Sequence, residues 1–204
     1  MHGVAQAAAV AAGVNSASLT LALGIWALVS FDGCSSCWSR FEGMDLQLTL
    51  APALSKVMLL LTILVTFATV LGTNPPQGGE ASWYNSALLI SAGATGAFLS
   101  DNIISFFAFH ELALIPTFVM IGLYGRGDRR TTAWRATLYL GLASMVLLAA
   151  LLMIGTQAGF TFSGLKDFMA SGRELAHAEL IGALLIAGFG TLISLFPFLS
   201  LIHI

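Results

Sequence analysis

Residues 100–124 read SDNIISFFAFHELALIPTFVMIGLY, and the fold turns on how they are read. Most of the stretch is apolar enough to sit in lipid, yet His110 and Glu111 stand near its middle. A charged side chain at the centre of a membrane helix costs about 2.5–3.5 kcal/mol on insertion scales, and more in simulations. Such groups are hidden from lipid and put to use. The stretch therefore predicts an all-α, polytopic transmembrane helical bundle built around a buried acid.

The composition agrees. Of 204 residues, 57% are hydrophobic and only 9% charged, and the mean hydropathy is +0.90. A soluble domain carries about 25% charged residues, so this surface cannot be mostly water-facing. The apolar runs are continuous rather than alternating, which disfavours a strand-built barrel. The 21 glycines suit close helix contacts in lipid. A net charge of −2 gives no footprint for nucleic acid, and none is expected as a partner. No Lys or Arg precedes the first apolar run, so no cleaved signal peptide is expected.

About six spans are expected. The first covers residues 4–31, interrupted by Asn15, Ser16 and Ser18. A polar loop, 32–47, holds Cys34 and Cys37. The second span, 48–72, carries Lys56 towards its start, where the ammonium can snorkel to the interface. Residues 73–81, TNPPQGGEA, form a loop. The third span is 82–99, and Asp101 is the expected N-cap of the fourth, 100–124. Pro116 within it has no N–H for the carbonyl of Leu112, which neighbouring helices must then serve. Residues 125–134 hold Arg126, Arg129 and Arg130, with Arg135 just beyond, so this loop is expected on the cytoplasmic side. That places the cysteine loop outside. The fifth span is 136–154, followed by an outer loop, 156–177, in which Ser163 is expected to cap a short amphipathic helix. The sixth span starts near Glu179 and runs to the end, as if the chain were cut. Residues 1–198 are read as one transmembrane domain. Residues 199–204, LSLIHI, look like a non-native tail, one translation of a sequencing-library transposon end.

The segment from Asp101 onward resembles the antiporter-like, proton-translocating membrane subunit of respiratory complex I, of the subunit M or chain 4 type. The likeness rests on Asp101, Phe106, Phe107 and Phe109 ahead of Glu111, then Leu114-Ile115-Pro116, the Arg-rich loop, and the surroundings of Tyr139 and Ser144. It implies a fragment of a larger subunit of about fourteen helices. It further implies a membrane subunit of an NADH-quinone oxidoreductase that couples electron transfer to proton translocation. On that likeness no cofactor sits on this chain, while NADH, flavin, iron–sulfur clusters and quinone belong to partner subunits. The expected partners are the other membrane subunits of complex I and the lipid bilayer, and the expected location is a bacterial inner membrane. The family pairs its Glu with a Lys in a broken helix, and that position falls here on Leu192.

Glu111 is the candidate proton-relay residue, against the plain alternative of a protonated carboxyl bonded between helices. His110 is a possible second relay member, against a neutral ring bonded to a nearby carbonyl. It stands about 100° round the helix from Glu111, with Thr117 on its own face. Lys56 could replace the missing cation if its helix lay beside that of Glu111. Cys34 and Cys37 could close a small disulfide; a metal site would need two more ligands. No metal ligand set and no phosphate-binding loop is read from the sequence. Two other readings remain open: a subunit of a cation/proton antiporter or membrane-bound hydrogenase, and a structural subunit that no longer pumps.

Overall fold

A computed structural model describes residues 2–30, 53–73, 75–76 and 78–193. The chain order is α1 (His2–Ser30), α2 (Ala53–Gly72), α3 (Glu80–Leu99), α4 (Ile103–Tyr124), α5 (Arg129–Ala158), α6 (Phe162–Ala170) and α7 (Ala178–Leu192). Among the described residues there is no β-strand, only an isolated bridge between Asn102 and Thr161. Among the described residues three segments are long and apolar enough to cross a membrane: Leu54–Gly72, Ile103–Tyr124 and Arg129–Ala158. Val10–Trp26 and Ala178–Leu192 are shorter apolar helices. The helical bundle is as expected, and six is an approximate span count.

α1, α2 and α3 pack on one another, and a row α3–α4–α5–α7 continues from them. Two apolar cores follow. One joins Val70 of α2 with Trp83 and Tyr84 of α3. The other joins Ile103 of α4, Leu147, Leu151 and Ile154 of α5, and Ile181 of α7. α3 meets α4 through small residues. A Cβ at Gly93 would lie 2.9 Å from both the Ala113 nitrogen and the Phe109 carbonyl oxygen, so the two backbones touch there. Large side chains elsewhere point outward, as a lipid-facing bundle requires: Leu142 is 69% exposed and Ile186 69%.

Each end of the bundle is tied. At the arginine-rich end, the Tyr124 hydroxyl donates to the Gly79 carbonyl at 2.9 Å, joining the end of α4 to the α2–α3 loop. At the opposite end, the Ile103 N–H donates to the Phe160 carbonyl and the Phe162 N–H to the Asp101 carbonyl, both at 2.8 Å. The Ser163 hydroxyl donates to Asp101 at 2.9 Å.

Two capping expectations need correction. α4 is capped by Asn102, whose Oδ1 accepts from the Ile104 N–H at 2.8 Å and the Ser105 N–H at 3.4 Å; Asp101 serves α6 instead. α6 is capped by Thr161, whose Oγ1 accepts from the Gly164 N–H at 3.1 Å, and Ser163 lies inside the helix. α5 also starts earlier than expected, at Arg129, behind the Asp128 cap. Charged side chains in its first turn extend into water while the backbone is already helical.

Candidate functional site

Glu111 is the ninth residue of the 22 in α4, so it sits about 12 Å from the helix start at 1.5 Å per residue. The same 3.6-residue repeat puts Leu114, Ile115 and Phe118 on its face. That face borders α5, where Ala136, Thr137, Leu140 and Gly141 complete a cavity of about 190 Å³. The walls are mostly apolar, and Thr117 and Thr137 are the other polar side chains in them. The Thr117 hydroxyl is already committed, donating to the Ala113 carbonyl at 2.8 Å. Glu111 Oε1 is shielded from solvent and has no hydrogen-bond partner among the described residues. A buried polar atom without a partner costs about 1–3 kcal/mol. The plain alternative, a carboxyl bonded between helices for packing, has no bond at this oxygen to support it.

His110 is adjacent, with its Nε2 likewise buried and unpartnered, so the expected bond from the ring to a carbonyl is absent at this nitrogen. Its ring stacks on Phe106, with centroids 6.4 Å apart and planes 9° from parallel, and lies 6.4 Å from Phe107 at a tilt of 48°. The aromatic residues ahead of Glu111 thus hold the imidazole against the helix.

The other candidates lie apart. α2 packs on α1 and α3, so Lys56 stands on a helix that α3 separates from α4. Leu192 is half-buried against the core of Ile103, Leu147 and Leu151. Cys34, Cys37 and His203 lie outside the described residues. Among the described residues, no three His, Cys, Asp or Glu side chains come together.

The structure adds features that single-residue reading missed. Ser82, Asn85 and Ser86 of α3 face Ile115, Pro116 and Val119 of α4 across an open groove of about 400 Å³. Their i, i+3, i+4 spacing was visible in the sequence as a polar stripe, but its partner helix was not. Within the bundle, the Thr66 hydroxyl of α2 donates to the buried Ser91 hydroxyl of α3 at 2.8 Å.

A row of apolar helices with a buried, unpartnered carboxyl oxygen at mid-height in one of them is the architecture of a polytopic membrane subunit. Residues 100–200 match the family described as NADH:quinone oxidoreductase/Mrp antiporter, TM, and the chain belongs to it as an antiporter-like subunit of the complex I type, present in part. It is 32% identical over 165 residues to NAD(P)H-quinone oxidoreductase chain 4 1 of Synechococcus elongatus, covering 78% of this chain and 30% of that one. It is 24% identical over 137 residues to F(420)H(2) dehydrogenase subunit M of Methanosarcina mazei, covering 63% of this chain and 28% of that one. The fold is shared with a chain of the Mrp complex from a Dietzia species: TM-score 0.77 at 22% identity, over 97% of this chain and 22% of that one. The chain thus spans less than a third of the curated relatives it matches. It is an integral membrane protein, and its relatives are subunits of multi-subunit oxidoreductase complexes.

Proposed function

We propose that this chain is part of a proton-translocating membrane subunit of an NADH-quinone oxidoreductase, and that Glu111 takes up and releases the proton in transit. The carrying observation is the Glu111 carboxyl itself: at mid-height in α4, facing a cavity against α5, with Oε1 buried and unpartnered. Ionisable groups placed so inside membrane helices serve as proton relays. The carboxylate accepts a proton from one side, holds it as the neutral acid in a low-dielectric setting, and gives it up towards the other side, which restores the carboxylate. His110, with its own free nitrogen one residue away, is the candidate second station. In this reading the electron carriers and quinone belong to partner subunits of complex I in a bacterial inner membrane, and the arginine-rich end faces the cytoplasm. Leu192 at the family's Lys position means that Glu111 works here without that cation.

The test is Glu111→Gln in the protein assembled with its membrane partners. The amide keeps the shape and removes the titrating group, and proton transfer is expected to fall by roughly a hundredfold or more, the lower end of the loss typical of a positioned proton-transfer group. Pumping at the parental rate would overturn the assignment. An antiporter-type subunit is the second reading, favoured by the fold shared with the Mrp complex; sodium-dependent proton exchange without any redox substrate would select it.

A further inference from the structure

Ile115 lines both hollows that flank α4: the cavity against α5 that holds Glu111, and the groove against α3 that holds Ser82, Asn85 and Ser86. It stands four residues, or about 6 Å, nearer the arginine-rich end than Glu111, on the same helix face. The groove has what ordered water needs. Its volume of about 400 Å³ exceeds the ~30 Å³ that each water takes in the liquid many times over. It also offers two hydroxyls and an amide within two turns of α3. Asn85 and Ser82 are exposed although α3 lies among membrane helices, and Ser86 is buried at the groove floor. An amide and a hydroxyl facing hydrocarbon would be costly, so water or another polar group must cover them. On the α4 wall stands Pro116, which has no N–H to donate to the helix behind it. The groove's first lining residue, Ser82, stands two residues beyond Glu80, at the tied end where Glu80 Oε1 accepts from the Gly78 N–H at 3.0 Å and Tyr124 donates to Gly79.

We propose that the α3–α4 groove is the aqueous approach to Glu111 from the arginine-rich end, and that the Ile115 side chain is the step between water and the carboxyl. The proposal rests on the relay reading of Glu111. A proton carried by groove water passes Ile115 to reach the carboxylate, and the water left behind takes its replacement from bulk solvent. Ile115 is thus a positioning residue: it bonds to no proton, and it sets whether a water file reaches the acid.

The experiment uses the assembled protein in sealed vesicles of known orientation, with Cys34 and Cys37 replaced by serine. Asn85→Cys is exposed to a membrane-impermeant thiol reagent from either side. Labelling from the arginine-rich side alone is expected; labelling from neither side, or only from the opposite one, overturns the groove as an approach. Ile115→Trp is then combined with Asn85→Cys. Proton transfer is expected to slow by roughly tenfold, a single added step in the barrier, while labelling at 85 keeps its rate and so reports an intact groove. Parental transfer with the indole in place overturns Ile115 as the step. Should Ile115→Trp also abolish labelling, Ile115→Ala replaces it: a Glu111→Cys thiol must then react faster from the arginine-rich side than with isoleucine in place, and an unchanged rate overturns the proposal. If Glu111→Gln leaves proton transfer intact, the relay reading fails, whereas the labelling pattern still decides the groove.

Discussion

Two atoms at one level of α4, Glu111 Oε1 and His110 Nε2, are buried with their bonding capacity unused, and the proposed relay rests on them. A helix can hold such atoms only if the packing around them is firm, and that packing depends on a residue with no side chain. At Gly93 the α3 and α4 backbones approach so closely that a Cβ would fall 2.9 Å from a backbone nitrogen and 2.9 Å from a backbone oxygen of α4. Backbone atoms cannot swing aside as a rotamer does, so Gly93→Ala must push the helices apart. The expected loss of stability is about 1–3 kcal/mol, the range for overpacking a tight contact, read as a lower unfolding midpoint in detergent. Gly141→Ala is the control, because nothing lies near that position; equal midpoints for the two variants would show that the close approach is not limiting. Glu111 itself was legible as a residue, since an acid in an apolar run stands out. The unpartnered state of its oxygen was not, because it depends on which helix faces it.

Helix ends show where reading a single sequence stops. Asp101-Asn102 and Thr161-Phe162-Ser163 each offer two capping side chains within three residues, and propensity ranks them almost equally. The choice is tertiary: the Asp101 carboxylate is drawn to Ser163 of α6, which leaves Asn102 to cap α4. The α3–α4 groove was hidden for the same reason, since Ser82, Asn85 and Ser86 form a site only once α4 is laid beside them. Asp128 at the start of α5 gives a pH-dependent test at this scale. Hydrogen bonds from Thr131, side chain and then backbone, hold its exposed carboxyl below its usual pKa, with Arg135 adding in the same direction. A lowered folded pKa means a contribution that is complete above the unfolded carboxylate value and lost as pH falls through the folded one. Amide exchange at Thr131, compared at each pH with the non-titrating Asp128→Asn variant, should therefore accelerate only on the acid side of the carboxylate range. A constant ratio between the two proteins across that range would contradict it.

For the molecule as a whole, the ties at its two ends decide how it sits in a membrane. Residues 125–128 connect α4 to α5 at the end where Tyr124 bonds to Gly79, so the α2–α3 loop shares that side. The opposite end carries α6, pinned by Asp101 and Ser163, and the start of α7, where the Ala176 N–H donates to Gln157 at 2.6 Å. The sequence already implied this division, because an even number of crossings separates the two loops of one side. On the proposed orientation Arg126, Arg129 and Arg130 set which end faces inward, since basic residues flanking membrane helices are retained in the cytoplasm. The three do not act alike. Arg129 donates to the Leu123 carbonyl at 2.8 Å and so also closes the end of α4; Arg126 and Arg130 are exposed and act through charge alone. A reporter placed after Gly127 should read as cytoplasmic, and one after Gly172 as external. Arg126→Gln with Arg130→Gln should turn a measurable fraction of molecules over while leaving the bundle as stable as before. Arg129→Gln should in addition lower the unfolding midpoint, by about 1 kcal/mol for one charge-assisted bond at an exposed helix end. An orientation indifferent to the double substitution would mean that the contacts of the folded bundle, and not its arginines, set which face meets the cytoplasm.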